Sequence, residues 1–171
     1  DLHNLAENLY QKNLFSRKGE PVLSHLKERG LSAETIQKFK IGYAFNEWNQ
    51  LVKNCKGKGF SKTSVEKSGL FINSEKGVFD RFRSRIMFPI HHLSGKTIGF
   101  GARIFGSEDP AKYLNSPETL VYKKSDVLYG LRDSRNSILK EGYAILVEGY
   151  MDFLQLYQSK IYPVVAVSGT A

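Results

Sequence analysis

The chain has 171 residues, of which 41% are hydrophobic and 12% aromatic, so it can bury a substantial core in one or two domains and is not of the disordered class. Its single cysteine, Cys55, excludes an internal disulfide and a cysteine-based zinc cluster, and we expect a reducing, cytoplasmic setting. The net charge of +8 favours a polyanionic partner over a neutral small substrate, and no apolar run approaches the roughly 18 residues of a membrane span.

The first part of the chain predicts a series of short helices. Apolar residues recur at helical spacing from Leu2 to Phe15, and a second helix is expected between Pro21 and Gly30. Ser32 is a suitable N-cap for a third helix that runs through Phe39. Further helices are predicted over 46–55 and from Ser61 towards Lys67. No cluster of residues in this part points to a particular chemistry.

A sheet is predicted after these helices. Segments 70–72 and 78–79 flank a turn and predict a hairpin. Segments 86–90 and 97–104 predict a second pair of strands around the turn Ser94-Gly95-Lys96. The chain therefore changes from a helical part to a mixed or antiparallel sheet.

Two glycines mark the last of these strands. Gly99 and Gly101 alternate with apolar residues, which leaves one face of the strand bare and open to close approach by another backbone or a ligand. The glycine spacing faintly resembles a dinucleotide-binding loop, but no helix follows and Arg103 comes too soon, so we reject that interpretation. A polar loop is predicted at 107–110, and the segment 112–119 does not have the pattern of a core element.

The last part of the chain predicts one βαβ unit. An amphipathic helix over 134–140 is followed by a strand over 143–147, a helix over 150–158 and a strand over 163–167. The two strands should be parallel, with a right-handed crossover. A turn is predicted at Ser168-Gly169-Thr170.

Glu148 comes directly after the first strand of this unit. In open α/β sheets, ligands bind at the carboxyl ends of strands, so Glu148 is a candidate functional carboxylate. Asp152 would lie in the first turn of the following helix and could turn back towards Glu148. The simpler alternative is that either residue only supplies negative charge at a helix N-terminus, which is worth under about 1 kcal/mol.

Basic residues are concentrated in the sheet part. Arg81, Arg83 and Arg85 alternate, so in a strand they would share one face. Arg103, Lys112 and Lys124 follow, with the polar and aromatic residues Tyr113 and Asn115 among them. Such a mixture suits single-stranded nucleic acid, because cations follow the phosphates while rings stack on bases. For any one of these residues, a solvated basic sheet face is the alternative. His91-His92 is expected to form a turn rather than a metal site, because neighbouring strand residues face opposite sides.

Seven short motifs cover most of the chain: Arg29-Gly30-Leu31-Ser32, Ile41-Gly42-Tyr43-Ala44, the segment 81–90, Gly99-Phe100-Gly101-Ala102-Arg103, the segment 112–119, Leu128-Tyr129-Gly130-Leu131 and the segment 147–152. Together they resemble the bacterial replicative primases of the DnaG type, and they occur in the order of that family. Each motif alone is weak, whereas the set is specific.

The resemblance implies an α+β fold and a two-part organisation. Residues 1–135 would form the basic, nucleic-acid-binding N-terminal subdomain of a primase polymerase core, with a helical first part and a mixed or antiparallel sheet. Residues 136–171 would be the beginning of a Toprim domain, that is, its first βαβ unit. We expect the chain to be a segment of a longer protein, and we expect strand 164–167 to be short of sheet neighbours.

The resemblance also implies a function. The whole protein would synthesise short RNA primers on single-stranded DNA from ribonucleoside triphosphates during DNA replication, by metal-dependent nucleotidyl transfer. Glu148 would be the Toprim glutamate that helps to hold Mg²⁺ or Mn²⁺, and Asp152 would be the acidic residue that ends the same motif. Template or nucleotide binding is implied for Arg29, Arg103, Lys112, Asn115 and Lys124; Tyr113, Arg81, Arg83 and Arg85 join them on the residue pattern.

Two features of the family lie outside this chain. These are the N-terminal zinc-binding domain, to which zinc would belong, and a later Asp-x-Asp pair of the Toprim domain. We therefore expect the chain alone to be inactive, and we expect a replicative helicase to bind through regions outside it. The alternatives are a single-strand-binding module without chemistry, or another Toprim enzyme such as a topoisomerase or nuclease.

Overall fold

A computed structural model describes residues 1–106 and 110–167 of the chain, so most of the predicted loop at 107–110 and the predicted turn at 168–170 lie outside the described residues. The α-helices are α1 (Leu2–Leu14), α2 (Glu20–Glu28), α3 (Ala33–Lys38), α4 (Gln50–Cys55), α5 (Lys62–Lys67), α6 (Leu131–Glu141) and α7 (Tyr150–Gln158). The strands are β1 (Gly42–Ala44), β2 (Phe71–Ser74), β3 (Gly77–Asp80), β4 (Arg85–His91), β5 (Thr97–Ile104), β6 (Tyr113–Asn115), β7 (Leu128–Tyr129), β8 (Ile145–Val147) and β9 (Val164–Val167). This confirms the predicted α+β class.

The helix caps follow from local sequence in two cases and from tertiary structure in a third. The Ser32 hydroxyl accepts a hydrogen bond from the Thr35 amide, and the Ser61 hydroxyl accepts one from the Ser64 amide, each at 3.1 Å. Helix α4 begins four residues later than predicted. Its first amides instead donate to the buried carboxylate of Asp80 at the end of β3, at 2.7 and 3.0 Å.

The main sheet is antiparallel, with strand order β1-β4-β5-β6. The pair β4–β5 and the separate β2–β3 hairpin confirm the predicted strands. The short strands β1 and β6, at the two edges of the main sheet, were not predicted. The backbone of α1 lies so close to Gly42 that a Cβ there would be 2.6 Å from the Tyr10 carbonyl carbon, which explains why β1 begins with glycine.

The predicted βαβ unit is present. Strands β8 and β9 are parallel, with Ile145 opposite Val164, and α7 connects them. The expectation that β9 is short of sheet neighbours is wrong, because β7 pairs with its other edge in the antiparallel sense and gives the strand order β7-β9-β8. Among the described helices, none is both long enough and apolar enough to cross a membrane.

One hydrophobic core joins the two ends of the chain. It contains Leu14 and Ile36 from the N-terminal helices, Phe88 from the main sheet, and Phe153 and Val164 from the βαβ unit. A second cluster packs α1 and α4 against the other face of the main sheet. The first core therefore spans the predicted domain boundary between residues 135 and 136, and that boundary stays a prediction.

A buried carboxylate connects α1 to this sheet. Glu7 lies almost wholly out of contact with solvent, and its oxygens bind Lys40 Nζ at 2.6 Å, His91 Nε2 at 2.8 Å and Thr97 Oγ1 at 2.5 Å. Burial by itself raises the pKa of a carboxyl, but the hydrogen bonds from these three groups outweigh it and lower the pKa of Glu7 to about 2. The ionised form is thus the one that the fold stabilises.

We predict that Glu7→Gln lowers the free energy of unfolding by about 3 kcal/mol at neutral pH. This figure follows from the pKa of Glu7, which falls from 4.5 to about 2 on folding. Because the folded pKa is the lower one, this stabilisation is complete above pH 4.5 and is lost as the pH falls towards 2. Urea unfolding at several pH values measures it. The exposed Glu28→Gln is the control. Equal stability of Glu7→Gln and wild type at pH 7 would contradict the assignment.

Candidate nucleic-acid interface

The bare face of β5 is occupied by a side chain from the βαβ unit. A Cβ added to Gly101 would lie 2.2 Å from Cζ of the Tyr150 ring, and one added to Gly99 would lie 3.2 Å from the Tyr122 ring. Close approach at these glycines is present, but the approaching groups are side chains rather than the predicted backbone or ligand. At Gly101 the approaching side chain is that of Tyr150, the first residue of α7.

Tyr150 connects three parts of the structure. Its buried ring stacks on Phe88 of β4, with centroids 5.0 Å apart, and meets the edge of Tyr129 of β7 at 4.9 Å. Its hydroxyl donates to Asn115 Oδ1 of β6 at 2.8 Å. Because Asn115 pairs with Gly101 in the sheet, one side chain fixes the start of α7 against both β5 and β6.

Glu148 lies at the carboxyl end of β8, two residues before Tyr150, and is exposed. Asp152 is also exposed, and its Oδ2 accepts a hydrogen bond from the Gly149 amide at 3.2 Å. Asp152 thus acts at the start of α7, as the simpler alternative for this residue expected. Within residues 1–106 and 110–167, no group of three or more His, Cys, Asp or Glu side chains could hold a metal ion.

His91 and His92 have different roles. His91 is the last residue of β4 rather than a turn residue, and its ring contacts the Glu7 carboxylate. His92 lies in the turn, where its Nδ1 is 2.9 Å from the Ser94 hydroxyl. The prediction of a turn is correct for His92 and wrong for His91.

The prediction that Arg81, Arg83 and Arg85 share one strand face is wrong. Strand β3 ends at Asp80 and β4 begins at Arg85, and between them Ser84 has a left-handed backbone with φ of 51°. Arg85 is buried and donates to the carbonyl oxygen of Ala111 at 2.9 Å. The alternating sequence pattern therefore belongs to a connection that turns between two strands.

Three of the predicted binding residues come together at the free edge of the main sheet. Arg103 of β5 is opposite Tyr113 of β6, with its guanidinium 5.6 Å from the centre of that ring, and Asn115 follows two residues later. The Tyr113 side chain is 55% exposed. We call Arg103, Lys112, Tyr113 and Asn115 the β5–β6 edge.

The remaining candidates lie on other elements. Lys124 begins the 3₁₀ turn Lys124–Asp126, and Arg29 follows α2. The carbonyl oxygen of Arg29 accepts a hydrogen bond from Gln155 Nε2 of α7 at 2.9 Å, so the βαβ unit also fixes the backbone at Arg29. Sequence reasoning missed Tyr150 as a residue that positions the site, although an aromatic residue beside Glu148-Gly149 is a visible signal.

Comparison with known proteins identifies the family. Residues 9–135 match the model of the DNA primase catalytic core, N-terminal domain. The chain belongs to this family. The DNA primase of Salmonella typhimurium is 40% identical over 171 residues, which cover 99% of this chain and 29% of that protein. The chain thus spans less than a third of that relative.

Solved structures of the family have the same fold. The RNA polymerase domain of the Mycobacterium tuberculosis primase DnaG, in complex with a double-stranded DNA oligomer with a 6-nucleotide overhang, is 37% identical, with a TM-score of 0.94 over 99% of this chain and 54% of that chain. A DnaG primase catalytic domain bound to single-stranded DNA is also 37% identical, with a TM-score of 0.87 over 99% of this chain and 56% of that chain.

We predict that Gly101→Ala destabilises the chain by about 1–3 kcal/mol, because the new Cβ occupies the position of the Tyr150 ring, which Phe88 and Tyr129 hold in place. Gly149→Ala is the control, since its Cβ meets only the Asp152 carboxylate, at 3.0 Å, and its φ of −114° suits any residue. Urea denaturation compares the two. Equal midpoints for both variants would contradict the packing described.

Proposed function

We propose that this chain is the template-binding part of a DNA primase, together with the beginning of its metal-binding domain. The whole protein would be a DNA-directed RNA polymerase that synthesises short RNA primers on single-stranded DNA from ribonucleoside triphosphates during replication. The observation that carries the proposal is the β5–β6 edge in a chain of the primase core family. Tyr150 joins this edge to the start of α7, directly after Glu148 and Gly149.

The β5–β6 edge has the chemistry that a single strand needs. Arg103 and Lys112 supply positive charge for phosphates, and the exposed Tyr113 ring supplies a stacking surface for a base. The net charge of +8 adds long-range attraction for a polyanion. We assign phosphate or nucleotide contacts also to Arg29, Arg81, Arg83 and Lys124, whereas Arg85 is buried and donates to the Ala111 carbonyl oxygen. The single-stranded DNA bound to one member of the family supports the proposal of template binding.

Glu148 fits one ligand position for a hard divalent cation such as Mg²⁺ or Mn²⁺. Its carboxylate is exposed at the carboxyl end of a strand, whereas an octahedral oxygen shell needs more donors than Glu148 and Asp152 supply. The bound ions would neutralise charge that develops on the transferred phosphoryl group. In this assignment Glu148 holds metal, and Asp152 supports it by fixing the Gly149 amide at the start of α7.

Other parts of the function are assigned outside this chain. We assign residues 136–171 to the start of a Toprim domain, and helicase contact and zinc binding to regions beyond these residues. We place the protein in the bacterial cytoplasm, at the replisome. A topoisomerase or nuclease is less favoured, because the family match covers the basic part of the chain rather than the carboxylate unit alone. A binding module without chemistry remains the second candidate, because Glu148 is only one metal donor.

Single-strand binding should depend on salt through Lys112 of the β5–β6 edge and through Lys124. We predict that removing both Lys112 and Lys124 by substitution with Ala lowers the slope of log affinity against log salt by about 1.4, that is, about 0.7 for each lost phosphate contact on a single strand. Fluorescence anisotropy with a labelled oligothymidylate measures the slope. Lys27→Ala with Lys140→Ala removes the same charge from two helices elsewhere. An equal loss of slope in both pairs would argue against specific contacts.

The catalytic assignment can be tested in a chimera. This chain would replace the matching 171-residue segment of the Salmonella primase. We expect the chimera to synthesise primers on single-stranded DNA, and Glu148→Gln to reduce the rate at least about a hundredfold, because a metal ligand contributes several kcal/mol to transition-state stabilisation. Oligonucleotide binding should be retained.

Two references accompany the chimera. Glu141→Gln, an exposed carboxylate at the end of α6, should keep full activity. The 171-residue chain alone, with magnesium or manganese, should make no primers. Full primer synthesis by Glu148→Gln would contradict the metal assignment, and synthesis by the chain alone would contradict the need for further metal donors.

A further inference from the structure

Two glutamines of α7 contact the backbone at the end of α2. Gln155 Nε2 donates to the carbonyl oxygen of Arg29 at 2.9 Å, and Gln158 Nε2 donates to that of Gly30 at 2.6 Å. The side-chain oxygen of Gln158 also accepts a hydrogen bond from the Ser32 amide at 3.1 Å. The two glutamines are three residues apart in the helix, so they project from the same face. We call Gln155 and Gln158 the glutamine clamp.

The backbone at Gly30 and Ser32 matches the chemistry of a carboxamide. Gly30 offers a carbonyl oxygen and Ser32 offers an amide, so a side chain with both an N–H donor and an oxygen acceptor can bind the two together. These partners also fix the orientation of the Gln158 amide, because only its nitrogen can donate to a carbonyl oxygen. A glutamate of the same size would place an acceptor against the Gly30 carbonyl oxygen.

The end of α2 is also fixed by its own helix. Gly30 follows Arg29 with a left-handed backbone, φ of 88°, and the Leu31 amide donates to the Leu26 carbonyl oxygen at 3.1 Å. This is a Schellman motif, in which glycine closes the helix. The carbonyl oxygens of Arg29 and Gly30 lie beyond the last turn of α2, and α7 supplies their donors. Two helices therefore set the backbone position of Arg29, while the residue itself is exposed.

Aromatic contacts, rather than the clamp, supply the burial between α7 and the N-terminal helices. Phe39, directly after α3, meets Phe153 and Tyr157 of α7 edge to face, with ring centroids 5.3 and 5.1 Å apart. The hydrogen bonds of the clamp are exposed, so water competes for the same groups and their net contribution to stability is small. The clamp is thus better suited to fixing one backbone segment than to stabilising the fold.

Helix α7 connects the clamp to the proposed metal ligand. Glu148 lies two residues before the helix, and Tyr150 fixes the first turn of the helix against the β5–β6 edge. From Tyr150 to Gln158 the helix rises about 12 Å, at about 1.5 Å per residue. One rigid element therefore has Glu148 beside its first turn and the groups that hold Arg29 along its last turns.

We propose that Gln155 and Gln158 are positioning residues, which hold the Arg29 guanidinium in a fixed place relative to Glu148 for binding to a phosphate group of the nucleic acid or of a nucleotide. This inference deepens the proposed function and rests on it. Arg29 is the residue that contacts phosphate, and the glutamines act through it. Their own amide groups bind the backbone of residues 29–32.

Gln158→Glu tests the clamp, because it keeps the size of the side chain and replaces the donor to Gly30 by an acceptor. In the chimera with the Salmonella primase, contact between Arg29 and the template predicts an oligothymidylate affinity about tenfold weaker in anisotropy, with unchanged KM for ribonucleoside triphosphates. Contact with a nucleotide predicts a KM about tenfold higher, with unchanged oligothymidylate affinity. Gln37→Glu, the same change at an exposed position of α3, should alter neither quantity.

The Arg29→Ala background separates positioning from a merely structural role. If the glutamine clamp acts through Arg29, Gln158→Glu causes no further loss once the guanidinium is absent. An equal additional loss in that background, or unchanged affinity and KM for Gln158→Glu alone, would overturn the inference and leave the proposed function intact. Gln155→Ala removes one exposed hydrogen bond and gives the same comparison even where Gln158→Glu fails to fold.

Failure of the proposed function has a different outcome. The unsubstituted chimera would then neither bind oligothymidylate nor synthesise primers, which would overturn the inference as well. Circular dichroism compares the folding of each variant with that of the unsubstituted chimera.

Discussion

The close packing of the Tyr150 ring on the backbone of Gly101 is the contact on which the arrangement of this molecule depends. A side chain at position 101 of β5 would exclude the Tyr150 ring, since a Cβ at that position would lie 2.2 Å from the ring. With glycine, the ring enters between Phe88 and Tyr129, and its hydroxyl reaches Asn115. The start of α7, and with it Glu148, is thereby fixed against the sheet edge that carries Arg103 and Tyr113. In the proposed function, this packed aromatic core would hold the nucleic-acid-binding edge and the proposed metal ligand Glu148 in a fixed relation to each other.

Local sequence was sufficient where structure is decided locally. Ser32 and Ser61 could be recognised as helix caps because the hydroxyl and the amide that it binds are three residues apart. The β4–β5 pair and the βαβ unit followed from apolar patterns between clear turns. Sequence was insufficient where the partner is distant. The start of α4 depends on Asp80, 29 positions from Leu51, and the short edge strands β1 and β6 exist because β4 and β5 present free edges to them.

In the candidate site, too, some features follow from local sequence and others depend on residues that are distant in the chain. The position of Glu148 after a strand and the mixture of cations with Tyr113 were visible in the sequence. The alternation of Arg81, Arg83 and Arg85 was misleading, because alternation predicts a shared face only if the backbone is extended, and Ser84 turns it. Each arginine therefore makes different contacts. Arg85 is buried and donates to the Ala111 carbonyl oxygen, and the guanidinium of Arg83 lies over the Trp48 ring. Arg81 lines a cleft together with both of them. The contacts of Trp48 could not be read from its sequence neighbours, since they come from β3 and the connection after it.

The central claim is the proposal that a single strand of nucleic acid binds along the β5–β6 edge, which Tyr150 holds against the start of α7. The most direct measurement is the change in backbone amide chemical shifts of the isotope-labelled chain as oligothymidylate is added. The account predicts that the shifted amides lie in β5, β6 and the connection from Arg81 to Ser84, with additional changes at the start of α7. Shifts confined to α1, α2 and α5, with the β5–β6 edge unaffected, would contradict it.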